Sequence, residues 1–219
     1  MSDLLECVEI DPGQAVGSII WLHGLGADAH DFEPIVPQLG LNQPLRFVFP
    51  NAPIRPVSIN AGMEMRAWYD LDPGAPLSGD QEISESAESI CRLVERERER
   101  GIPSDRITLA GFSQGGVIAL RVGLGFDERL AGIMALSAYQ LLPTAHEAEA
   151  HSNNGDTAML FCHGRLDPMV PIERGRSAHE AMAAAGHPTE WAEYMMEHQV
   201  ILPEVERIGT WLAARLPGE

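Results

Sequence analysis

Six short runs of consecutive apolar and β-branched residues punctuate the chain: 17–24 (GSIIWLHG), 45–52 (LRFVFPNA), 106–113 (RITLAGFS), 131–139 (AGIMALSAY), 157–164 (TAMLFCHG) and 189–195 (TEWAEYM). Near-continuous hydrophobicity over so few residues is what strands buried on both faces require. The longer stretches between them repeat with a helical period. In 80–100, Ile83, Ala87, Ile90, Cys91 and Val94 recur at spacings of three and four, and Gly101 closes the run. Segments 115–126, 171–186 (opening on Pro171) and 202–216 (striped by Val205, Ile208, Trp211 and Leu212) read the same way, and 31–39 does so more weakly. The alternation predicts the α/β class: a mostly parallel central sheet with helices on both faces.

Two segments break the alternation. Residues 53–79 are rich in Pro and Gly and carry Trp68 and Tyr69, which are expected to wall a cleft, since long ordered loops tend to be functional. Residues 140–156 are too short to build a helical lid. The ERERERG run at 95–101 reads as a solvated helix end.

Length and charge then narrow the classes. At 219 residues the chain suits a single domain over 1–219. With 32 Asp+Glu against 15 Lys+Arg the net charge is −17, which disfavours nucleic acid and anionic membrane surfaces as partners. All the basic residues are Arg, so chemistry that needs a lysine amine is excluded. The missing lysine fits a high-GC genome as well as salt adaptation. Cys7, Cys91 and Cys162 are too few and too scattered for a disulfide framework or a Cys-based metal site. The N-terminus lacks a basic, then apolar, leader, and no apolar run reaches membrane-spanning length, so a cytoplasmic location is expected.

The chemistry concentrates in RITLAGFSQGG (106–116), where an apolar strand enters Gly111-Phe112-Ser113-Gln114-Gly115 and leaves as a helix. This is the pattern of a nucleophile elbow: glycines two before and two after the serine admit a strained turn, and the helix N-terminus favours negative charge there. A serine nucleophile needs a base and an orienting carboxylate, in the chain order Ser, Asp or Glu, His. His179 lies within a helix pattern, and His187 precedes the last strand at the wrong edge of the sheet. His198 follows that strand and is the expected base. Asp167, just after strand 157–164, is the expected acid; Asp156 precedes that strand. Backbone N–H groups of Leu25, in the His23-Gly24-Leu25-Gly26 turn, and of Gln114 are the expected oxyanion donors, with His23 holding the turn. His146 and His151 resemble the HExxH zinc motif with one residue too many, which on a helix turns them about 140° apart. Cys162 reads as a buried hydrophobe. Neither a metal nor a cofactor is expected.

The motifs IIWLHGLGAD, FPNAP, WYDL, LAGFSQGG, CHGRLDPMVP and EYMMEHQV, in this order, resemble the carboxylesterase and acyl-protein thioesterase family of α/β-hydrolases. The resemblance runs nearly end to end. It implies the α/β-hydrolase fold without a large lid domain, a metal-free serine hydrolase, a triad on Ser113, Asp167 and His198, and oxyanion donors on Leu25 and Gln114. Carboxylic esters of short to medium acyl chains are the first expected substrates, and thioesters or acylated proteins the second. A hydrolase-fold binding protein without catalysis is the rival reading. Monomer and homodimer are both compatible with the sequence. One position departs from the family, which usually has glycine before the catalytic histidine where this chain has Glu197. A carboxylate there would favour the imidazolium and raise the lower pH limit of activity.

Overall fold

The computed structural model describes residues 4–72, 74, 79–141 and 154–218. Its sheet has seven strands: β1 (Cys7–Ile10), β2 (Gly17–Leu22), β3 (Leu45–Pro50), β6 (Ile107–Phe112), β7 (Gly132–Leu136), β8 (Met159–Gly164) and β9 (Thr189–Tyr194). They lie in the order β1-β3-β2-β6-β7-β8-β9, with β1 antiparallel to β3 and every other pairing parallel. The six expected strands are all present, trimmed by one to three residues at their ends. Two further pieces come from stretches read as loop or left unassigned. One is β1; the other is a separate two-stranded hairpin of β4 (Ile54–Val57) and β5 (Met63–Arg66) inside 53–79.

Alternation along the strands divides the core. In β2, Ile20 and Leu22 face α1 (Asp80–Glu99) and α2 (Gln114–Gly125), whereas Ile19 and Trp21 face α4 (Leu202–Arg215). Side chains of β7 and β8 also meet Ala178 and Met182 of α3 (Ile172–Ala184) on the α2 side. Helices thus cover both faces, and burial of such strands supplies roughly 25 cal/mol per Å² of apolar surface. The weak 31–39 pattern forms a 3-10 helix, Glu33–Leu39, because Pro34 opens it and Pro37 within it has no N–H to donate. Among the described residues no helix is long and apolar enough to cross a membrane.

The 95–101 stretch corrects its reading as a solvated end. Glu97 is fully buried and accepts a 2.9 Å hydrogen bond from Arg46 of β3, while Arg100 bonds Glu9 and Asp11 near β1. Only part of the run faces water. The charges anchor the end of α1 to the antiparallel edge of the sheet.

Glu204, in the first turn of α4, is completely buried and neither carboxylate oxygen has a hydrogen-bond partner. Burial raises its pKa to about 8. The folded chain therefore keeps a proton that the unfolded chain releases above the ordinary 4.5, so this stability is full below that pH and is lost as pH rises through about 8. Glu204→Gln is expected to raise the melting temperature at pH 8.5 and to change it little at pH 5, as measured by calorimetry. An equal shift at both pH values would refute the assignment. Buried His23 and His163, both held below the ordinary histidine value by burial, act with the opposite sign: their contribution is present above about pH 6.5 and is lost on acidification.

Candidate active site

The turn between β6 and α2 explains its glycines atom by atom. Ser113 stands at φ 53°, ψ −119°, a strained conformation for a residue with a side chain. A Cβ on Gly115 would come within 2.5 Å of the Leu22 carbonyl oxygen and 2.6 Å of that of His23. A Cβ on Gly111 would collide with the backbone of Gly115, and one on Gly116 would lie 2.5 Å from Ala138 Cβ. Only hydrogen fits where strand and helix pack so closely. The Ser113 N–H donates to Leu136 O at 2.8 Å, fixing the turn to β7.

Asp167 and His198 come together because the loops that carry them are bonded to each other. After β8 and β9, Arg165 N–H donates to Tyr194 O (2.8 Å) and Leu166 N–H to Met196 O (3.0 Å). Gly164 permits this crossing, since a Cβ there would lie 2.5 Å from Met196 O. Asp167 is buried; its Oδ1 accepts the N–H groups of Met169 (2.9 Å) and Val170 (2.8 Å), and its Oδ2 lies 2.6 Å from His198 Nδ1. Nδ1 is thereby the protonated nitrogen, leaving Nε2 as the basic one. The imidazole lies 4.6 Å, centroid to centroid, from the ring of Phe112, the residue preceding Ser113. Asp156 is exposed, ion-paired to Arg129, and His179 bonds Thr189 at the start of β9, so neither competes for these roles.

The turn after β2 abuts the elbow: a Cβ on Gly24 would lie 3.6 Å from Ser113 Cβ. Gly26 N–H donates to Arg66 O at 2.8 Å, whereas the N–H groups of Leu25 and Gln114 have no protein acceptor among the described residues. His23 is buried, its Nδ1–H donating to Gly24 O (2.7 Å) and its Nε2 accepting from Ala52 N–H (3.1 Å). Both ring nitrogens are thus occupied in holding the turn.

Trp68 and Tyr69 are corrected. Both are buried in the core, and the cleft that Trp68 borders, with Pro53, Arg55 and Ser86, includes none of Ser113, Asp167 and His198. The Trp68 indole N–H reaches His23 O at 2.9 Å, its backbone N–H reaches Gln114 Oε1 at 2.8 Å, and the Tyr69 hydroxyl lies 2.9 Å from that of Tyr139. Amphipathic rings go inside when their polar ends find partners. Gln114 Nε2 returns a 2.7 Å bond to Tyr69 O, so one side chain staples the segment to the elbow.

His163 was not singled out from sequence. Its Nε2 lies 2.9 Å from Val170 O, bracing the same residue whose N–H holds Asp167. The available signal was a polar residue on the α3 side of β8, in register with Met159 and Phe161. Cys162 is fully buried, and burial raises its thiol well above the ordinary value, as expected of a packing residue. Glu197 is exposed and its φ is not positive, so the backbone there does not require glycine. His146 and His151, and most of 140–156, lie outside the described residues.

A serine on a strained strand-to-helix turn, at the carboxyl edge of a mainly parallel sheet, defines an α/β-hydrolase. The family model described as Phospholipase/Carboxylesterase matches residues 6–216. Acyl-protein thioesterase 1 of Neurospora crassa is 35% identical over 91% of this chain and 87% of that protein, and the one from Gibberella zeae is 32% identical over 93% and 92%. The crystal structure of Arabidopsis thaliana SOBER1 superposes with a TM-score of 0.85 at 28% identity, covering 91% of this chain and 99% of that one. The chain belongs to the phospholipase/carboxylesterase family and is a hydrolase.

Proposed function

We propose that the protein is a serine esterase and thioesterase in which Ser113, His198 and Asp167 form the triad and the N–H groups of Leu25 and Gln114 hold the oxyanion. The observation that carries this is the 2.6 Å contact of His198 Nδ1 with the buried Asp167 carboxylate, beside the turn that presents Ser113. In this reading Ser113 Oγ attacks the acyl carbonyl as His198 Nε2 takes its proton. Asp167 holds the tautomer and stabilises the imidazolium without itself being protonated. Two unpartnered amides receive the oxyanion, each worth roughly 3–4 kcal/mol in the transition state. The acyl-enzyme is then released to water.

The acyl chain lies along the β4–β5 hairpin, which the Gly26–Arg66 bond fastens to the oxyanion turn and whose Ile54 and Met63 are exposed. Esters of short to medium acids are one substrate class. The relatives named acyl-protein thioesterase support thioesters on protein at least as strongly. A fluorophosphonate followed by peptide mapping is expected to modify Ser113 alone. Unmodified Ser113 would favour the non-catalytic binding module. Turnover of esters of increasing chain length, set against a palmitoylated peptide, separates the two substrate classes.

A further inference from the structure

A cleft of about 310 Å³ opens against the His198 ring, walled by Phe32, Ile35, Phe112 and Val200, with Asp31 at its edge. A chain of ring contacts runs beneath it: Phe112 lies tilted 4.6 Å from His198 and 5.9 Å from Phe32, and Phe32 stacks on Trp21 at 5.1 Å. Such a surface is preformed, as binding pockets usually are. Ser113 does not line this cleft, whereas the imidazole does. The imidazole that lifts the serine proton must hand it to the departing atom, so a group lying along it is the departing alcohol or thiol, not the acyl chain.

The edge of the cleft carries an uncompensated charge. Asp31 has no cationic partner among the described residues, and no arginine lines the cleft. Asp31 is exposed, and desolvation of its carboxyl followed by the neighbouring Asp28 carboxylate hold it above its ordinary value. The whole chain carries −17, so its surface favours cations in general. We propose that this cleft is the leaving-group site and that it selects alcohols or thiols with a compact apolar body bearing a positive charge, the body on Phe32 and Phe112 and the charge toward Asp31. The inference rests on the serine-hydrolase reading above. In the step concerned, the Ser113 Oγ–acyl carbon bond forms and the acyl C–O or C–S bond breaks. The proton taken from Ser113 moves from Nε2 to the departing oxygen or sulfur.

The test compares choline and 3,3-dimethylbutyl esters of one acid, which match in shape and differ in charge. The readout is the ratio of their kcat/KM values in wild type against Asp31→Asn, which cancels their intrinsic reactivities. At low ionic strength the cationic preference is expected to fall about two- to fivefold in the variant, the size of a solvent-exposed charge interaction. In wild type it is expected to fall likewise as salt is added. Ile35→Trp, filling the cleft, is expected to slow both esters relative to the methyl ester. An unchanged ratio in Asp31→Asn, or equal treatment of methyl and bulky esters by Ile35→Trp, overturns the inference while ester turnover persists. No turnover of any ester and no fluorophosphonate on Ser113 would remove the hydrolase reading and this inference together.

Discussion

Ser113→Ala is expected to lower kcat by about 10⁴-fold or more, the scale on which loss of a triad nucleophile acts. The melting temperature should stay nearly constant, because the Ser113 hydroxyl makes no protein hydrogen bond among the described residues and alanine keeps the Cβ that the turn already accommodates. Ester turnover and a thermal melt on the same sample check both halves. Retention of more than about 1% of the activity would assign the chemistry to another residue, since the residual rates of such variants, although above the uncatalysed reaction, lie about 10⁴-fold or more below wild type.

Asp167→Asn is expected to cost a comparable factor of about 10⁴ in kcat, as the same change does in a serine protease. The reason lies in the local bonding. The N–H groups of Met169 and Val170 both point at Oδ1, so an asparagine would place its carbonyl oxygen there and turn its NH₂ toward His198. Nδ1 would then have to accept, which moves the ring proton to Nε2, where it can no longer take one from Ser113. Rate measurements on Asp167→Asn, with folding verified by circular dichroism, test this. A loss below about tenfold would show that the carboxylate does not set the tautomer.

Much of this arrangement was legible in the sequence. Strands buried on both faces announce themselves as apolar runs, and the elbow does so because the collisions at Gly111 and Gly115 leave no other residue possible. The edges were less legible. β1 is four residues long, half-buried and set among acidic residues, so no apolar run marks it; β4 contains Pro56 and leaves Ile54 in water, which disguises a hairpin as a loop. Aromatic residues in a long loop suggest a ligand, and Trp68 and Tyr69 read as cleft walls on that ground. That they are core depends on partners, His23 O and the Tyr139 hydroxyl, which lie far off in the chain. The Arg46–Glu97 pair hides a buried charge within a run that reads as solvated for the same reason.

Gln114 serves two regions through different atoms. Its main chain begins α2 beside Ser113, while its side-chain amide clasps Trp68 and Tyr69 and so locks the stem of the β4–β5 arm. An apolar replacement other than proline retains the peptide hydrogen and discards the clasp. A phenotype would therefore report on how firmly the arm is seated against the elbow, and would say nothing of the amide nearest the nucleophile.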